Sequence, residues 1–154
     1  MGLAKVNLDG LLETLRLDEG WRKYIYDDAN GDPIVPGYTV VGHPTIGHGL
    51  CVERGRGELP LEIGELWLKH AVEARWKALV ARLPWVEDQP VEVQLALGNM
   101  AYQLGVEGLC GFKRMLAALE AGDREMAAKH ALNSKWAKQV PARAQRVSAS
   151  ILGG

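Results

Sequence analysis

From residue 60 onward the chain carries apolar stripes at helical spacing, cut only by glycine and proline, and stripes of that kind can be buried only in a mainly helical fold. Ile63, Leu66, Trp67, His70, Ala71, Ala74, Leu79 and Val80 run on to Pro84, with Pro60 suited to a first helical turn. This predicts one long helix that Gly64 does not end. Further helices are expected over Val91 to Leu104, Phe112 to Ala121, Arg124 to Asn133 and Ala142 to Ile151, separated by Gly105, Gly108, Gly111, Gly122 and Pro141. Trp76 and Trp85 read as core or lobe-joining aromatics.

The first third has a different pattern. Asp9 is a reasonable N-cap for a helix whose stripe is Leu11, Leu12, Leu15 and Leu17, and Gly20 stops it. Tyr24-Ile25-Tyr26 then alternates as a strand does, Asp27 to Pro33 is turn chemistry, and Tyr38 to Gly42 reads as a second strand. The pair predicts a small antiparallel hairpin. The fold class is therefore α+β, mainly α: a small antiparallel β lobe joined by a long helix to a larger helical lobe.

Three residues in this first third suggest chemistry. Glu19 closes the first helix in Leu17-Asp18-Glu19-Gly20, where the negative end of the helix dipole favours a protonated carboxyl and so suits a proton donor. Asp28 stands nine residues on, near a strand end where a carboxylate stays wet and ionised. Thr45-Ile46-Gly47-His48-Gly49 adds a hydroxyl followed by two glycines that let backbone approach a ligand. An acid, a base and a held water are what cutting a sugar chain requires. Taken singly, Glu19 reads as a solvated helix end. Asp27 and Asp28 each read as turn formers through side-chain hydrogen bonds to backbone, with a one-residue ambiguity between them.

This order of a helix ending in Asp-Glu-Gly, an aspartate nine residues after the glutamate and then Thr-Ile-Gly-x-Gly resembles the phage-type lysozymes, the T4-like lysozyme or endolysin family. The resemblance continues through Gln94 to Gly105, Gly111-Phe112 and Trp136 to Val147, in the family's order, and covers most of the chain. It implies a single lysozyme-like domain over residues 1–154, with a β lobe about 20–58 and a helical lobe about 59–154 that also takes the N-terminal helix. Glu19 would be the general acid, Asp28 the group that activates water, and Thr45 the group that helps place it. Tyr102, Gln103, Trp136, Gln139 and Arg143 match positions on the helical wall of the family's cleft and would contact substrate. Their plainer readings are core aromatics, helix-surface amides and a solvated charge. The implied activity is hydrolysis of the β-1,4 bond between N-acetylmuramic acid and N-acetylglucosamine in bacterial peptidoglycan, with inversion, by a monomer that needs no cofactor and no metal.

Two departures from the family pattern stand out. Ala29 to Pro44 is longer than the corresponding segment of the family, with Pro33, Pro36 and Pro44 stiffening it, and is expected to line one end of the cleft. Leu50 replaces the histidine that often follows Gly-x-Gly, and His48 occupies the x position.

Composition limits the partners. With 18 basic and 19 acidic residues the formal net charge is -1, so no global field draws the chain to nucleic acid or an anionic membrane. From Lys113 onward there are eight basic residues against three acidic ones, a bias that could favour an anionic glycan, with solvated helix faces as its default reading. Cys51 and Cys110 are expected as free thiols, as in a reducing host cytoplasm. With no signal-peptide pattern and no stretch of membrane-spanning length, the expectation is a protein made in the host cytoplasm that reaches the wall after release, assisted by a holin, without stable membrane insertion. Two rival functions are a zinc-dependent wall peptidase using His43, His48, Cys51 and His70, which lacks any closed ligand spacing, and a non-catalytic glycan-binding protein.

Overall fold

The computed structural model describes residues 8–154, which fall into two compact units divided between Gly64 and Glu65. The chain is mainly helical with one small antiparallel sheet, as its sequence pattern predicts. Among the described residues no helix is long and apolar enough to cross a membrane.

In the first unit, α1 (Leu8–Glu19) is already helical at the first described residue, so its N-terminal cap lies outside the described residues and Asp9 falls within the helix. Gly20 ends it by adopting φ 66°, a conformation that costs a residue with a Cβ about 1 kcal/mol or more. Three strands follow, β1 (Arg22–Asp27), β2 (Pro44–Gly47) and β3 (Leu50–Cys51), in the order β1-β2-β3. Tyr26 pairs with Thr45 and Asp27 with Pro44 across the first ladder, and Thr45 pairs with Cys51 across the second.

The second strand expected over Tyr38 to Gly42 does not form. Thr39-Val40-Val41 has strand propensity, but the Asp27 carboxylate takes the N–H groups of Val41 and Gly42, which a ladder would have needed. β1 therefore pairs with β2, and 16 residues separate the two strands.

In the second unit the predicted helices appear with shifted ends. The long α2 (Leu61–Arg82) starts one residue after Pro60 and passes through Gly64 without a break. A 3-10 turn, Pro84–Asp88, leads to α3 (Val91–Cys110). Gly105, at φ 72° and ψ 164°, breaks α3 one residue after the expected end at Leu104, and the helix then resumes to Cys110. Next come α4 (Lys113–Glu120), α5 (Arg124–Leu132), α6 (Lys135–Gln139) and α7 (Pro141–Leu152). Asp123 caps α5 by accepting from Met126 N at 2.9 Å, and Ser134 caps α6 by accepting from Ala137 N at 3.1 Å. At five residues, α6 is too short to leave a periodic signal in the sequence.

α7 packs against α3 and α5, and α5 against α4. Leu79, Leu97, Met100, Leu109, Leu119 and Ile151 are buried together where these helices meet. Each excludes apolar surface from water at about 25 cal/mol per Å². Leu97 and Leu95 share α3, but Leu97 is 0% exposed and Leu95 66%. Leu97→Ala should cost about 2–5 kcal/mol of unfolding free energy in urea, and Leu95→Ala less than about 0.5 kcal/mol.

Candidate active site

Asp27 is the last residue of β1 and is 0% exposed. A buried carboxylate is tolerated only when donors replace its water, and the chain supplies four. Val41 N donates to Oδ2 at 2.6 Å, Gly42 N to Oδ1 at 2.9 Å, Ala29 N to Oδ1 at 3.0 Å and the Tyr38 hydroxyl to Oδ2 at 3.3 Å. The Val41 N–H, with help from Ala29, Gly42 and Tyr38, holds the Asp27 carboxyl below the usual carboxylate range against burial, which pushes it up.

The chain turns after β1, and Asp28, the first residue of that turn, is exposed. It exchanges two bonds with His43: Asp28 N donates to His43 O at 3.1 Å, and His43 N donates to Asp28 Oδ1 at 2.6 Å. Gly42 is required beside it, because a Cβ there would collide with Asp28 Oδ1 and lie 2.8 Å from Ala29 N. Thr45 is buried at 3% exposure on β2, and its hydroxyl donates to the same His43 carbonyl at 3.1 Å. Asp28 and Thr45 thus converge on one residue.

Glu19 lies exposed at the end of α1, against the His48-Gly49 turn that joins β2 to β3. A Cβ on Gly49 would collide with Glu19 Oε2, so the glycine is what lets this turn approach the carboxyl. The His48 ring bonds through Nδ1 to the Gly20 carbonyl and lies 5.1 Å from the Trp21 ring. Trp21 is 68% exposed beside Glu19, and the sequence reading missed it. An indole directly after a helix-ending Glu-Gly was the available signal. The structure therefore brings Glu19, Asp28 and Thr45 around β2, with Glu19 meeting the turn that follows the strand and Asp28 bonded to the residue that precedes it.

The five helical-wall candidates all lie in the second unit and do not form one cluster. Gln103 Oε1 accepts from Trp136 Nε1 at 3.0 Å, and Phe112 meets the Trp136 ring edge-on at 5.8 Å. Trp136 and Gln139 line a groove of about 610 Å³ together with Lys113, Arg114, His130 and Lys135. Tyr102 instead stacks under the Arg75 guanidinium at 5.0 Å. Arg143 lines a separate depression of about 230 Å³ with Asn99 and Arg146. Of the zinc candidates, His43 Nδ1 meets Glu53 Oε2 at 2.7 Å and His48 Nδ1 faces Gly20 O. Among the described residues no three His, Cys, Asp or Glu side chains converge. Cys51 and Cys110 are free thiols in separate units.

No family model matches the chain. Over 160 aligned positions it is 33% identical to the pre-baseplate central spike protein Gp5 of Enterobacteria phage T4, a match covering 94% of this chain and 28% of Gp5. The chain thus spans under a third of the relative it matches. These findings overturn the assignment to the phage-type lysozyme and endolysin family, since the similarity is to a phage spike protein.

The Asp27 anchor predicts a pH dependence. Its stabilisation is present above the unfolded carboxyl pKa of about 3.9 and is lost as pH falls through the lower folded value. Protection of the Val41 and Gly42 amides against exchange, relative to their intrinsic rates, should therefore fall on acidification below about pH 4. Asp27→Asn should speed exchange of the same two amides at neutral pH and flatten this acid response.

Proposed function

We propose that this chain is a glycoside hydrolase of a phage spike protein, cutting the β-1,4 bond between N-acetylmuramic acid and N-acetylglucosamine in bacterial peptidoglycan. The carrying observation is the gathering of Glu19, Asp28 and Thr45 around β2 within one unit. In this reading Glu19 gives its proton to the departing glycosidic oxygen. Asp28 takes a proton from water, and the resulting hydroxide oxygen bonds to the sugar carbon as the carbon–oxygen bond breaks.

In this reading a water stands between the two carboxyls, and neither attacks the sugar directly. Glu19 and Asp28 are held beyond opposite ends of a four-residue strand, whose terminal Cα atoms stand about 10 Å apart. Inverting glycosidases keep their carboxyls about 6.5–9.5 Å apart, whereas retaining ones bring them to about 5–5.5 Å. Thr45 supports the same mechanism. Its proton is committed to His43 O, which leaves its oxygen as an acceptor for one hydrogen of the water that Asp28 would deprotonate. Trp21, exposed and braced by His48, offers a flat apolar face to a pyranose ring beside the acid. The similarity to Gp5 supports a phage setting in which the enzyme travels on a spike.

Glu19→Gln should stay folded and lose at least about 10² to 10⁴ in the rate at which purified peptidoglycan releases reducing ends. Asp28→Asn should lose comparable activity at unchanged melting temperature, while Asp27→Asn should lose mainly stability. Product analysed by NMR before mutarotation should be the α anomer, and an initial β anomer would sink the water-activating assignment.

A further inference from the structure

We propose that the His43–Glu53 pair is a positioning device that holds Asp28 and Thr45 in register around the reacting water; this rests on the reading of Asp28 as the base. His43 is the residue both groups share. Its N–H fixes Asp28 Oδ1 at 2.6 Å, and its carbonyl accepts both Asp28 N and Thr45 Oγ1 at 3.1 Å. With Oδ1 held, Oδ2 is the oxygen left to take a proton. A shift at His43 would displace base and water site together.

The sheet alone does not fix His43. The following residue, Pro44, biases it to extended backbone but has no N–H to give the ladder, and holds β3 only through its carbonyl, which accepts Val52 N at 2.8 Å. The remaining restraint comes from the imidazole. His43 Nδ1 meets Glu53 Oε2 at 2.7 Å, and Arg56 Nε meets the same oxygen at 3.3 Å. Glu53 is itself set by the turn in which Arg56 N and Gly57 N donate to its carbonyl at 3.1 and 3.2 Å. A side chain one residue past the ladder is thereby clamped to a turn two residues past β3. Neither His43 nor Glu53 needs to touch substrate, so both are positioning residues.

The test uses the full chain on purified peptidoglycan and reads kcat, KM and melting temperature. His43→Leu fills similar space without a donor, whereas His43→Asn keeps an N–H near the Nδ1 position. Glu53→Leu removes the acceptor, whereas Glu53→Gln keeps one. Both leucine variants should lose about tenfold to a hundredfold in kcat at KM within about twofold of wild type, since misplacing a reacting group by about 1 Å costs this much. Both amide variants should recover most of the loss. Folded leucine variants with wild-type kcat, alongside an inactive Asp28→Asn, would overturn the positioning role and leave the base assignment standing. An active Asp28→Asn would overturn the base assignment itself. Loss of fold at both positions would make the pair a structural tie only and would also overturn the proposal.

Discussion

A buried charge is expensive unless every water it loses is replaced, and this cost at Asp27 dictates the course of the chain between β1 and β2. The carboxylate collects N–H groups from residues 29, 41 and 42 and a hydroxyl from residue 38, so both ends of the long insertion are tied to one side chain. Removing any one donor would leave part of a charge unsatisfied, at more than the worth of a single neutral hydrogen bond. The insertion is therefore closed without a strand of its own, and its exit delivers His43 to the start of β2. Asn30 reinforces the closure through the Tyr38 hydroxyl at 2.8 Å.

The helical part of this architecture was legible because each segment carries its own period and its own punctuation. Gly122, Asp123, Ser134 and Pro141 act locally, through φ, caps and a missing donor, and local signals survive in a sequence read linearly. The β part was legible only where pairing agreed with propensity. Val40 and Val41 look like strand residues, but the Val41 N–H answers to a carboxylate 14 residues away, and local propensity does not see that partner. The break at Gly105 was anticipated as a terminus, since a glycine that interrupts a helix and one that ends it look alike.

The site divides in the same way. Glu19, Asp28 and Thr45 could be chosen from order and spacing, but which of two adjacent aspartates faces solvent could not be read from composition. Trp21 and Glu53 were not singled out, and His43 only as a metal ligand, because their contacts join residues well separated along the chain. In the helical unit, Trp136 is both a buried aromatic and a groove wall, its indole N–H fixed by Gln103, so the two readings of that residue were not alternatives. Part of the C-terminal basic excess also has a location, since Lys113, Arg114 and Lys135 line that same groove instead of being spread over solvated faces.

The Asp27-Asp28 dipeptide shows how a buried anchor and an exposed carboxylate can be one residue apart. β1 ends at Asp27 and the chain turns at Asp28, so one carboxyl enters the interior while the next remains in water. The inner carboxylate is saturated with donors and has no lone pair to spare for a proton at neutral pH, which makes it a poor base and a good anchor. The outer one has a single oxygen tied to His43 N. A one-residue slip in register would exchange their environments, burying Asp28 and exposing the anchor. The four donors on Asp27 oppose that slip, because they are presented by loop residues that fit only the inner position. The fixed register is thus what keeps Asp28 both exposed and aimed.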